Sequence, residues 1–127
     1  MAPRLDLIGL VVKDIETSVR FYRLLGVEVP EGQDGPHWET KLPNGLRLAW
    51  DSVALVKEIN PHYVEPAGHR MGMAFLCDNP AAVDAKHAEL VKAGYKSTMD
   101  PWDAFWGQRY AQIEDPDGNT VDLFAPL

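Results

Sequence analysis

Trp106-Gly-Gln-Arg-Tyr-Ala-Gln-Ile-Glu-Asp-Pro-Asp-Gly-Asn-Thr-Val-Asp-Leu-Phe124 reads as a β-hairpin: strand alternation runs up to Asp115-Pro116-Asp117-Gly118-Asn119, breaks, and resumes from Thr120. Proline and the Asp-Gly pair supply the turn conformations that alternation lacks. The same grammar occurs once before, at Leu42-Pro43-Asn44-Gly45 followed by Leu46 to Trp50. Working outward from the two hairpins, each is preceded by a strand and a helix.

In the first half, Leu5 to Val12 reads as a strand, Asp14 suits a helix N-cap, and Ile15, Val19 and Tyr22 mark a helical stripe that ends at Gly26. Residues His37 to Leu42 and Leu46 to Trp50 form the first hairpin, and Ser52 to Ile59 reads as a short helix leading away. The stretch 60–68, with two prolines and a glycine, is the linker. In the second half, Arg70 to Cys77 reads as a strand, and Asp78-Asn79-Pro80 opens a helix that carries Val83, His87, Leu90 and Val91 on one face and ends at Gly94. The expectation is therefore an α+β chain made by internal duplication: one domain, 1–127, with module one at about 1–60 and module two at about 69–127.

Composition narrows the partners. With 127 residues, 46% of them hydrophobic, the chain can bury one core. A net charge of -7, with Lys and Arg scattered, argues against nucleic acid as a partner. No segment approaches membrane-spanning length and no signal peptide is read at the N-terminus, so no membrane association is expected and the location is expected to be cytoplasmic. The single cysteine, Cys77, reads as a small packed hydrophobe.

The residues Val12-Lys-Asp14, Ser18-Val-Arg-Phe-Tyr22 and Leu25-Gly26, with Asp115-Pro-Asp-Gly-Asn119 and Val121-Asp-Leu123, resemble the glyoxalase, bleomycin-resistance and extradiol-dioxygenase (vicinal oxygen chelate) superfamily. Within it, Gly45-Leu-Arg-Leu-Ala-Trp-Asp51, Gly68-His-Arg70 and Trp106-Gly-Gln-Arg-Tyr-Ala111 through Leu127 look most like the mitomycin-binding resistance proteins. The resemblance implies a pair of βαβββ modules whose sheets curve around a cleft, usually completed in a dimer, so a homodimer is expected. It also implies four strand positions that hold a divalent metal in the superfamily's enzymes. Carried over by distance from the turns and caps, these are Leu7, Ala49, Gly72 and Asp122.

Three of those four cannot ligate, and a register error of one offers only Ile8, Trp50, Met71 or Met73. Transition-metal sites need several imidazole, carboxylate or thiolate donors converging within about 2.0–2.3 Å. The expectation is no metal, no cofactor and no catalytic residue, since no nucleophile and base set stands out either. His37, His62, His69 and His87 show no paired metal-ligand spacing, and structural or surface roles are expected for at least three of them.

Binding candidates come from alternation and from the segment Met99-Asp-Pro-Trp-Asp-Ala-Phe-Trp-Gly107, read as an irregular aromatic flap. Trp106 is read as a ligand contact, Trp102 stays open between ligand and core, and Phe105 is read as core. Tyr110, Gln112 and Asp122 share the parity that faces away from the helix-packed core. Trp38 lies at the mouth of the first hairpin, and Trp50 is kept as a candidate although its parity is that of core Leu48. The resemblance adds His37, which matches a drug-contacting position. The expected activity is antibiotic resistance by sequestration: a planar, quinone-type drug such as mitomycin lies between Trp106 and His37, oriented by Asp122, Tyr110 and Gln112. The alternatives are a bleomycin-type glycopeptide ligand, or a metal-dependent enzyme of the glyoxalase or dioxygenase type. Redox assistance to a quinone drug is a further possibility, for which no cofactor motif is present.

Overall fold

The computed structural model describes residues 2–68 and 71–127. The elements run β1 (Leu7–Val12), α1 (Ile15–Leu25), β2 (His37–Lys41), β3 (Arg47–Ser52), α2 (Val53–Ile59), β4 (Met73–Leu76), α3 (Pro80–Lys92), β5 (Ser97–Ala104), β6 (Gln108–Glu114) and β7 (Thr120–Pro126). The chain divides into two compact units, Met1–Pro66 and Ala67–Leu127, with the boundary inside the stretch read as a linker. The strand expected from Arg70 begins outside the described residues, as does His69; its described part is β4.

In the first unit a three-stranded sheet has the order β1-β3-β2, with β1 parallel and β2 antiparallel to β3. Asp14 caps α1 by accepting the Thr17 N–H at 3.1 Å. Gly26, at φ 125, closes the helix, and its N–H reaches the carbonyls of Tyr22 and Arg23. A left-handed backbone there favours glycine over any residue with a Cβ. The stripe Ile15, Val19, Tyr22 and Leu25 is buried, as its spacing requires. Tyr22 meets Trp50 edge to face at 5.7 Å, so α1 covers the sheet face that carries Leu10, Val12, Leu48 and Trp50.

The second unit has the full βαβββ order, with sheet order β4-β7-β6-β5. Asn79 caps α3 by accepting the Ala82 N–H at 2.9 Å, and Pro80 sits at the first helical position, where its missing N–H costs nothing. Val83, His87 and Leu90 are buried against Ile113, Val121 and Leu123, while Val91, expected on the same face, is 43% exposed. His87 hydrogen-bonds the Ser97 hydroxyl at 2.8 Å, a packing role as expected. Cys77 is half-buried rather than buried, and loss of solvent pushes its thiol above the usual range.

Among its described residues the first unit has no counterpart of β5. Residues 27–31 occupy that place in the order, but their carbonyls are taken by side chains: Arg23 donates to Val29 and Pro30, and Thr40 donates to Glu28. Pro30 also has no N–H to give a ladder. In the second unit Pro101 is tolerated because β5 is an edge strand, and the β5–β6 register shifts on either side of Met99.

Candidate functional site

The segment expected to be an irregular flap is mostly strand: only residues 105–107 form a turn. It is a three-residue hairpin loop in which Gly107, at φ 91, takes the left-handed position and donates its N–H to the Ala104 carbonyl. The tight turn throws Phe105 outward to 91% exposure, which corrects the reading of that ring as core. Trp106, on the same turn, is 47% exposed and Trp102 is 36% exposed.

Cross-strand pairing sets the rest. Trp102 pairs with Tyr110, Tyr110 with Phe124, Gln112 with Asp122, and Asp122 with Ala74, so these side chains share the sheet face opposite α3. Trp106 stands edge-on to Trp102 at 5.5 Å, to Phe105 at 5.0 Å and to Tyr110 at 5.1 Å. Each such pair contributes about 0.5–1.5 kcal/mol beyond area burial, which fixes the rings relative to one another. The indole N–H of Trp106 donates to Gln108 Oε1 at 2.8 Å, and that of Trp102 points at Met99 Sδ at 3.1 Å. Gln112 donates to the Tyr110 hydroxyl and accepts from Thr98. Burial first, and then the neighbouring Asp122 carboxylate, hold the Tyr110 phenol above its ordinary range. Five of the predicted site residues, Trp102, Trp106, Tyr110, Gln112 and Asp122, are therefore brought together.

The three candidates of the first hairpin separate. Trp38 pairs across the ladder with Trp50, which places both on the helix-covered face; Trp50 is fully buried against Tyr22. Period-two alternation thus places Trp38 and Trp50 on the face opposite the one that carries His37. His37 lies on the opposite face with Asp51 and Glu39. Its Nδ1 bonds Asp51, and its Nε2 bonds Glu39 at 2.8 Å. Glu39 and then Asp51 raise the imidazole above its ordinary range. Arg47 completes the network, donating to Glu39 at 2.9 Å and to Asp6 at 2.6 Å.

The donor set does not fit a transition metal. Leu7 and Ala49 lie on the same face of the first sheet, and hydrocarbon occupies both metal-holding positions there. Of the two matching positions in the second unit, Asp122 carries a carboxylate and Gly72 has no side chain. His37, on the same face of the first sheet as Ala49, spends both ring nitrogens on carboxylates. Among the described residues no three His, Cys, Asp or Glu side chains converge on one point. Two concavities of the first unit, one beside Asp6 and Lys41 and one beside Val29 and Thr40, are lined by no aromatic side chain and by none of the predicted site residues. Among the described residues no helix is long and apolar enough to cross a membrane.

Sequence reasoning missed Asp115. It is buried, its Oδ1 accepts the N–H groups of Asp117 and Asn119, and its Oδ2 accepts from the Asn119 side chain. The Asp-x-Asp-x-Asn spacing was the available signal.

Residues 4–123 match the family model described as the Glyoxalase/Bleomycin resistance protein/Dioxygenase superfamily. The chain belongs to that superfamily. It is 30% identical to the uncharacterized protein YwbC of Bacillus subtilis, over 98% of each chain. Among solved structures, a glyoxalase/bleomycin resistance protein/dioxygenase from Nocardioides is similar at 27% identity, with a TM-score of 0.78, over 100% of this chain and 85% of that one. A superfamily enzyme from Burkholderia phytofirmans reaches a TM-score of 0.87 at 17% identity, covering 98% of this chain and 100% of that one, and shows the fold alone. The sequence-based expectations of superfamily and of duplicated α+β fold both hold.

Proposed function

We propose that this superfamily member binds a flat organic molecule, an antibiotic of the mitomycin class, and sequesters it unchanged without a metal. The observation that carries the reading is the group formed by Trp102, Trp106 and Tyr110, whose rings lock one another edge to face while both indoles keep exposed surface. Rigid aromatic surface that is not spent on the core is suited to stacking. The hydrocarbon at Leu7 and Ala49 supports binding over Lewis-acid chemistry.

A micromolar complex needs about 8 kcal/mol, whereas each ring contact adds roughly 0.5–1.5 kcal/mol beyond area burial. Most affinity must come from enclosing the apolar part of the ligand, for which we propose a second subunit.

Titration of tryptophan fluorescence with mitomycin C and with bleomycin tests the reading. Mitomycin C is expected to quench, and Trp106→Ala to weaken its binding by roughly 1–3 kcal/mol, the scale of aromatic stacking on bases, with the fold retained. Quenching by bleomycin alone would move the proposal to glycopeptides, and quenching by neither would end it. A stoichiometric transition metal retained through dialysis would overturn the metal-free part.

A further inference from the structure

Asp122 sits in the middle of the far face of the second sheet, with Gln112 on one neighbouring strand and Ala74 on the other. Its Oδ1 is buried and accepts no hydrogen bond among the described residues. Buried carboxylate oxygens are ordinarily satisfied, because losing water without gaining a donor is costly.

Of the local donors, the Tyr110 hydroxyl is directed at the Asp122 carboxylate, and Oδ1 is still left without a partner. Gln112 gives its amide N–H to the Tyr110 hydroxyl, Trp106 gives its indole N–H to Gln108, and Trp102 points at Met99. The cations of the same strands are engaged elsewhere: Arg109 pairs with Asp84 and Asp103 on the helix side, and Lys96, just before β5, pairs with Glu114. The first sheet shows the contrasting case, since Glu39 and Asp51 are each answered by His37 or Arg47. The ring that neighbours Asp122 is Tyr110, and Trp106 stands edge-on to Tyr110 and to Trp102, so electron-rich surface extends away from the carboxylate. A carboxylate beside aromatic faces is the combination that recognises an organic cation, through a charge-assisted hydrogen bond and the ring quadrupoles together.

Building on the flat-ligand reading above, we infer that the ligand of this face carries a cationic N–H donor, a protonated amine or amino-substituted heteroaromatic ring, which docks on Asp122 while its plane lies against Trp106. Among the described residues the three other buried polar side-chain atoms without a partner, on Ser18, Trp38 and Trp50, belong to the first unit, so they do not compete for this assignment. The chain's net charge of -7 adds a favourable field for such a ligand.

The test compares aminoacridine, a flat cation, with acridine, nearly the same shape but neutral at mildly alkaline pH, by fluorescence titration. Aminoacridine is expected to bind about ten- to a hundredfold more tightly, the worth of a hydrogen bond to a charged group. Asp122→Asn, which keeps the side-chain shape, should erase that preference, whereas Trp106→Ala should weaken both dyes alike. Circular dichroism and the melting temperature check that each variant is folded. Equal binding of the two dyes, or a preference that survives Asp122→Asn, overturns the cation assignment and leaves the flat-ligand reading standing. Failure of both dyes to bind the unsubstituted protein sinks the two together.

Discussion

Counting from Gly45 in the first hairpin and from Gly118 in the second matches Ala49 with Asp122; across the ladders, His37 matches Tyr110, Glu39 matches Gln112 and Asp51 matches Phe124. On the first sheet these positions form a closed ionic circuit in which each carboxylate meets an imidazole or guanidinium. On the second they form rings around one carboxylate whose Oδ1 has no partner. The same backbone frame thus supports a face that satisfies itself and one that does not, and it is the second that offers something to a ligand. Exposed ion pairs are worth little and bind little, since their charges are already answered. An unanswered polar atom among aromatic rings is a cost to the fold, and such costs gather at functional sites.

The two turns differ as sharply as the faces, and they give the largest expected effect. Both turns close with two backbone hydrogen bonds, but Asp115 adds three side-chain bonds to the second from a buried position, whereas in the first the Asn44 side chain accepts the Leu46 N–H. Asp115→Ala is expected to cost about 3 kcal/mol and Asn44→Ala about 1 kcal/mol, measured by urea denaturation. Equal losses would show that the two hairpins are held alike.

Asp122→Ala gives the second sheet the residue that the first carries at the matching place. It is expected to raise stability by about 1 kcal/mol, seen as a higher melting temperature, while ligand binding falls. A loss of stability would mean that the carboxylate is structurally satisfied and that the contrast between the faces is false.

The smallest effect tests the ionic circuit. Because the folded protein holds His37 above its ordinary value, its contribution is fully present below the unfolded imidazole pKa and is lost as pH rises through the raised folded value. His37→Gln should therefore be less stable than the parent in mild acid, by under about 1 kcal/mol because the pairs are solvent-screened, and should converge with it in alkali. The lowered Glu39 titration opposes this only at the acid end, where its contribution is lost as pH falls. Nuclear magnetic resonance titration of the His37 ring, with urea melts across the same range, checks the sign.

The hairpin grammar, the caps at Asp14 and Asn79, and the alternation that separates Tyr110, Gln112 and Asp122 from Val121 and Leu123 were legible in the chain because each rests on local backbone chemistry. The same alternation already argued against Trp50, whose burial follows from the parity of Leu48. Phe105 was misjudged because its exposure depends on the tightness of a three-residue turn within a segment rich enough in proline and glycine to look irregular throughout.

What the sequence determined by itself was the duplicated frame and the missing donors at Leu7, Ala49 and Gly72, since periodicity, capping and ligand chemistry are properties of residue type and spacing. Only the tertiary structure decided that Arg23 and Thr40 take the carbonyls a fourth strand would need in the first unit, and that His37 is spent between two carboxylates. It alone decided that Asp122 Oδ1 is buried without a partner. Those outcomes depend on which groups from distant parts of the chain arrive within about 3 Å of one another, and hydrogen-bond reach has no signature in linear order.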